Sequence, residues 1–210
     1  MGPHPHVEDV VSFESLGIAD EFMEEMFPKI AGKYSGGLLL CGSGRCVWDD
    51  IEKAGMAKNT DMDVMCVNNM VEHYPGPVEH GYSNDAQLLS RSCQNRRPNW
   101  IKLWGPVRHQ HSVKSGGKWT WPFPGHGTSS LNAVYIGLAL GYDRIWLCGI
   151  PLDNSGHYFD APWVKTNFNN EVAPRHNGPR YWDNAAKRIF KGKVKSFSGR
   201  TRDLLGEPDR

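Results

Sequence analysis

Charge of one sign is what this chain most plainly lacks. Its 24 Lys and Arg stand against 23 Asp and Glu, a formal net charge of +1. No global field draws in DNA, RNA or an anionic membrane, which argues against nucleic acid as a partner. Only after Arg175 do basic residues thicken, leaving room for a local anion site. Apolar runs are short as well, and none approaches the roughly 18 to 20 residues of a membrane span. Cysteine is sparse: Cys41, Cys46, Cys66, Cys93 and Cys148 are odd in number and lack metal-ligand spacing. Cys41, Cys66 and Cys148 lie inside apolar runs, the pattern of buried free thiols in a reducing compartment. From Met1 to His6 no charged stretch precedes an apolar one, so no secretory signal is read and the expected location is cytoplasmic. Internal repeats, low-complexity tracts and interdomain linkers are absent too.

What is present is an ordinary globular composition, 39% apolar and 22% charged over 210 residues. That suffices for one domain with a real core and is not the composition of a disordered chain. The domain is expected to span residues 1–210, with an N-terminal extension over 1–35 and irregular loops at 105–127 and 151–179. A helix is expected from Ile18 to Phe27. Gly37–Cys41 is a short apolar run followed by Gly42-Ser43-Gly44 and the helix-compatible stretch Cys46–Ala54. Strand, glycine turn and helix form the opening unit of a parallel α/β sheet. Met62–Val67 reads as a second strand ending at Asn68-Asn69, and Pro77–Gly81 as a weaker third running into Tyr82-Ser83-Asn84. A helix over Asp85–Cys93 and a strand over Trp100–Trp104 follow. Thr128–Leu140 is the strongest helix, with Thr and Ser for its N-cap, Gly141 as terminator and one apolar face. Arg144–Gly149 is a fifth strand. Arg180–Phe190, an edge-like strand over Lys193–Phe197 and a short helix over Thr201–Leu205 complete the chain.

This alternation predicts a Rossmann-like, mainly parallel twisted sheet flanked by helices. Ligands of such sheets sit beyond the carboxyl ends of the strands. Gly42, Ser43 and Gly44 lie at one such end, where backbone N–H groups can approach a phosphate, or where the chain simply turns tightly. Asn68, Asn69 and Asn84 can bond a base, ribose or sugar hydroxyl, and equally suit turns. Thr128, Ser129 and Ser130 can hold an anion or cap their helix. Asp61 and Asp63 spell Asp-x-Asp but precede their strand, and read as a solvated boundary. Asp49 and Asp50 fit a first helical turn, where acids suit the dipole. His176, in an irregular stretch before a helix, is the histidine suited to proton transfer, although with nine histidines an exposed loop residue is the plainer reading. His109, His111 and His126 lack the carboxylate or Cys of a convincing zinc site. Trp119–Pro124 suits a stacking platform, a lid or a cover for the core.

Thr128–Ile150, followed by Gly156-His-Tyr-Phe-Asp160, resembles the bacterial single-domain sialyltransferases and the wider group containing hydroxymethylpterin diphosphokinases. The run Leu38-Leu-Leu-Cys-Gly-Ser-Gly-Arg45 and then Asp63–Asn68 is similar to their opening strand, glycine turn and second strand. The closing Ser196–Leu205 is similar to small phage-encoded relatives, for which the host cytoplasm would be the location. This resemblance implies a nucleotide cradle from Gly42, Ser43 and Gly44, with Asn68 and Asn84 near ribose or base. It also implies donor contacts from Ser129 and Ser130, a phosphate steadied by Tyr158, and His176 as general base. Pro151 stands where the family usually has Asp, and Leu131 where it usually has Gly.

The expected activity is glycosyl transfer from a nucleotide-activated, CMP-linked donor to a glycan or other hydroxyl acceptor, inverting and with no required cofactor. The alternatives are a Mg²⁺-dependent diphosphokinase-like phosphotransferase, resting on Asp153 and Asp160, and a noncatalytic nucleotide- or glycan-binding phage accessory protein.

Overall fold

The computed structural model describes residues 32–55, 61–85, 88, 101–105, 119–120, 127–164 and 178–209. The expected helix at Ile18–Phe27 and most of that at Asp85–Cys93 lie outside them, as do Cys93, His109, His111, His126 and His176. In chain order the elements are β1 (Gly37–Cys41), α1 (Val47–Lys53), β2 (Met62–Val67), α2 (Met70–His73), β3 (His80–Tyr82) and β4 (Lys102–Trp104). There follow β5 (Trp119–Thr120), α3 (Ser129–Leu140), β6 (Arg144–Cys148), α4 (Gly178–Ala185), β7 (Val194–Ser196) and α5 (Gly199–Leu205). A π-helical turn over Ala186–Phe190 extends α4.

Among the described residues the strands form one seven-stranded sheet in the order β5-β4-β3-β2-β1-β6-β7. Every neighbouring pair is parallel. The fold is therefore α/β and Rossmann-like, as the alternation predicted. Strands covered on both faces need apolar residues at successive positions, and β1 has them: Leu38 and Leu40 face one core, Leu39 and Cys41 the other. Helices α3 and α4 supply the first core and α1 and α2 the second. Cys41, Cys66 and Cys148 stand in register on adjacent strands, buried and outside any disulfide.

Four expectations need correction. The third strand starts later, at His80, because pairing begins where the Glu79 amide donates to the Val64 carbonyl at 2.9 Å. The loop expected over 105–127 contains β5, which adds to the sheet beyond β4. Helix α3 is not amphipathic: every residue from Leu131 to Leu140 is buried, because it is sandwiched between the sheet and α4. Gly137 allows the close approach, since a Cβ there would lie 2.7 Å from Leu38 Cδ2 and 2.9 Å from Ile145 Cδ1. Asp63 is not a solvated boundary residue either. Trp104 Nε1 donates to His80 Nδ1 (3.2 Å), which leaves His80 Nε2 to donate to the Tyr142 hydroxyl (2.9 Å). That hydroxyl donates to Asp63 Oδ2 at 2.5 Å, so Asp63 terminates a largely buried relay. Asp61 is exposed and pairs with Arg144 at 3.3 Å.

Candidate functional site

From β1 the chain steps outward through β2, β3, β4 and β5, then returns to place β6 on the other side of β1. This reversal leaves a crevice at the carboxyl ends of β1 and β6, the switch point where open α/β sheets bind ligands. A cavity of about 160 Å³ opens there. Its walls come from the turn after β1, Asn68 after β2, the start of α3, the segment after β6, and the Gly156-His157 stretch.

Gly42, Ser43 and Gly44 line the cavity, but two of their amides are already used. Gly42 donates to the Cys148 carbonyl and Gly44 to that of Gly149, each at 2.8 Å. A Cβ on Gly42 would meet the Gly149 oxygen at 2.7 Å, and one on Gly44 would meet Pro151 Cδ at 2.6 Å. The glycines thus let the β1 and β6 turns touch. Among the described residues the Ser43 amide and hydroxyl have no hydrogen-bond partner, so they are the groups of this turn left for a ligand.

Asn68 lines the cavity in a left-handed conformation (φ 56°) that Asn tolerates better than most residues. Ser83 Oγ donates to its Oδ1 at 2.7 Å, which fixes the amide plane. Asn84 is placed differently from the expectation. Its Oδ1 accepts from Tyr82 and Asn132, its Nδ2 donates to the Gly127 carbonyl, and its backbone N–H donates to Ser129 Oγ. It does not line the cavity, and its role is to seat the start of α3. Thr128, Ser129 and Ser130 all line it, at the positive end of the α3 dipole. Thr128 is also the N-cap, its Oγ1 accepting from the Leu131 amide at 3.2 Å. Capping and cavity lining therefore coincide.

The far wall is the segment from Asp153 to Val164, fastened by Arg45. Its guanidinium donates to the carbonyls of Ser155 (2.7 Å), Asp160 (3.3 Å) and Ala161 (3.1 Å). The Arg45 amide donates to Gly156 O, and the Tyr158 amide to Ser43 O, tying this segment to the glycine turn. His157 lines the cavity, and its Nδ1 lies 2.9 Å from Asp160 Oδ2, which also accepts from the His157 amide. The amide, the ring and Arg45 together hold the Asp160 carboxyl below its usual range. An ionised carboxylate only accepts, so Nδ1 carries the proton and Nε2 is the remaining ring nitrogen. Asp153 lines the cavity while its Oδ1 accepts from the Ser155 amide.

Tyr158 is not among the lining residues. Its ring lies edge-on to Trp48 and His73, and its buried hydroxyl has no hydrogen-bond partner among the described residues. Burial, with Glu72 nearby, pushes that hydroxyl's pKa up. It does not supply the cavity with the phosphate contact implied for it.

Behind the cavity, Asp50 is fully buried and accepts from the Gly149 amide at 2.9 Å and from the Ser198 hydroxyl. Thr201 Oγ1 donates to Ile150 O (2.6 Å) and the Arg200 amide to Pro151 O (2.8 Å). The C-terminal helix is thereby a brace for the segment after β6. Asp50 does lie in the first turn of α1, as expected, and its carboxylate is in addition part of this brace. His176, the expected base, lies outside the described residues.

No protein-family model matches the chain, and no curated protein matches it significantly. Among solved structures it is similar to the sialyltransferase CstII from Campylobacter jejuni in complex with a substrate analogue, cytidine-5'-monophosphate. The TM-score is 0.52 at 14% identity, covering 82% of this chain and 85% of that one. At that identity the likeness is one of fold: the sheet and its helices are sialyltransferase-like. No helix among the described residues is long and apolar enough to cross a membrane.

Proposed function

We propose that this chain is a glycosyltransferase-like enzyme that takes a sugar from a CMP-linked donor and passes it to a hydroxyl acceptor. The supporting observation is the cavity at the β1/β6 switch point, in a fold shared with a protein solved with a cytidine monophosphate ligand. Its polar lining is mainly neutral, with hydroxyls from Ser43, Thr128, Ser129 and Ser130 and the Asn68 amide, and a positive helix end faces it. Groups of that kind suit a ribose, a base edge and a single phosphate.

In the reaction proposed, the acceptor oxygen bonds to the anomeric carbon opposite the phosphate as the C–O bond to phosphate breaks. The nucleoside monophosphate leaves with the bonding electrons, and the acceptor's proton passes to a base. Inversion follows from the opposite-face attack, and no metal is needed in this scheme. His176 is assigned as that base on the family resemblance.

The first test is a thermal-shift panel of CMP, CDP, UDP, GDP and ATP, each with and without Mg²⁺. A ligand at about 100 times its Kd adds roughly 2.7 kcal/mol, which for a domain this size is a rise of roughly 5 to 10 °C. Stabilisation by CMP without metal is expected, followed by turnover of a CMP-sugar that His176→Ala abolishes. Stabilisation only by ATP with Mg²⁺ would replace this reading with phosphoryl transfer. A response to no nucleotide would remove it.

A further inference from the structure

A phosphate-binding cavity needs positive charge, and this one has a single source among its described lining side chains. None of the described lining residues is Lys or Arg. Arg45 stands closest in sequence to the glycine turn, but its guanidinium is spent on the carbonyls of Ser155, Asp160 and Ala161. Among the described lining residues only His157 can carry a positive charge, and it sits directly beside the glycine turn, where Gly44 and His157 pair as a short antiparallel bridge.

We propose that His157, oriented by Asp160, is the group that binds the donor's phosphate and neutralises the charge it gains as the glycosidic bond breaks. This rests on the nucleotide-sugar reading of the cavity and gives the phosphate role to a residue other than Tyr158. Three observations carry it. The Asp160 carboxylate fixes Nδ1 as a donor at 2.9 Å, so the other nitrogen, Nε2, is the one a ligand can meet. The ring is held flat on Phe159, with centroids 5.0 Å apart and planes 3° from parallel, so its direction is set before a ligand arrives. The Gly44–His157 bridge sets the residue beside the glycine turn, where the helix end and the Ser43 hydroxyl also face the cavity. The charged groups beside this ring are Asp160 on its own segment and Arg45 behind that carboxylate.

In the cationic form Nε2–H donates to a phosphate oxygen, and no proton need be transferred for the leaving group to be stabilised. A charge-assisted bond of this kind corresponds to roughly tenfold to hundredfold in affinity.

Calorimetric titration of the full chain with CMP and with cytidine tests the assignment. Wild type is expected to bind CMP more tightly than cytidine. In His157→Gln, CMP should weaken by roughly tenfold or more, with cytidine binding unchanged. Asp160→Asn should weaken CMP in the same direction and leave cytidine unchanged, a selectivity that a merely structural turn would not produce. If wild type binds CMP and His157→Gln binds it equally well, the proposal is overturned and the nucleotide reading survives. If wild type binds neither CMP nor cytidine, both fall together.

Discussion

At the scale of single residues, most polar side chains that line the cavity are ones the sequence singles out, whereas those that hold its walls in place are not. Asp50 reads as a first-turn acid on a short helix, yet its carboxylate is buried and holds the amide of Gly149, 99 residues away. Replacing it with Ala would strand that amide and the Ser198 hydroxyl. A cost of about 3 kcal/mol is expected, visible as a lower midpoint in urea or thermal unfolding. Asp50→Asn keeps an acceptor for Gly149, and Ser198 can turn to accept from the new amide, so about 1 kcal/mol is expected there. Equal stability of both variants and wild type would show that the brace is dispensable. Arg45 and the His157–Asp160 pair were equally hard to recognise. Their spacing from each other and the identity of their acceptors depend on a segment folding back onto the glycine turn. What the sequence did carry was the local half of each feature: Thr128 as a cap, Asn68 as a residue at ease in a left-handed turn.

At the scale of elements, β1, β2, β6 and α3 were legible because each is decided by its own residues. Continuous apolar runs bounded by Gly or Asn mark buried parallel strands, and Thr128 with Gly141 brackets the helix. The all-round burial of α3 was not legible, since it depends on α4 arriving from more than 35 residues further along the chain. Glycines show the same divide. Gly137 lies against the ends of the Leu38 and Ile145 side chains, which can give way, whereas Gly149 (φ 64°) would place a Cβ 2.5 Å from the Gly42 carbonyl oxygen. Gly137→Ala is therefore expected to cost only about 1 kcal/mol, overpacking being partly offset by better helix propensity. Gly149→Ala should cost about 3 kcal/mol, because both the backbone strain and the backbone contact must be relieved. It should also weaken CMP more than Gly137→Ala does, since it parts the two turns that form the cavity. Unfolding midpoints and CMP titrations of the pair check the order, and a reversed order would contradict the account of the crevice.

At the scale of the whole molecule, the alternation of strands and helices announces a parallel sheet but not the order of its strands. The site exists because β6 lies beside β1. No local pattern encodes that neighbour; it follows from burying β6 on both faces while β2 occupies the other flank of β1. The same assembly buries His80 completely, in a relay with Trp104, Tyr142 and Asp63, all brought together from distant segments. Burial, with the Lys102 charge adding to it, lowers the His80 pKa to about 3. An unfolded histidine titrates near 6.5, so the unfolded chain takes up a proton that the folded chain refuses. The contribution of His80 is therefore fully present above about pH 6.5 and is lost progressively as pH falls towards 3. Each unit of pH below 6.5 removes at most about 1.4 kcal/mol, so pH 5 should cost up to roughly 2 kcal/mol, or a Tm drop of roughly 4 to 8 °C. His80→Gln retains a donor for Tyr142 but leaves the Trp104 indole without its acceptor. It should be less stable than wild type at pH 7, and its stability should change less between pH 7 and pH 5. The readout is the difference in slope, because every other ionisable group is common to both proteins. Parallel stability curves for the two proteins would mean that His80 can accept a proton without disturbing the relay, and that the buried histidine is not what makes this fold acid-sensitive.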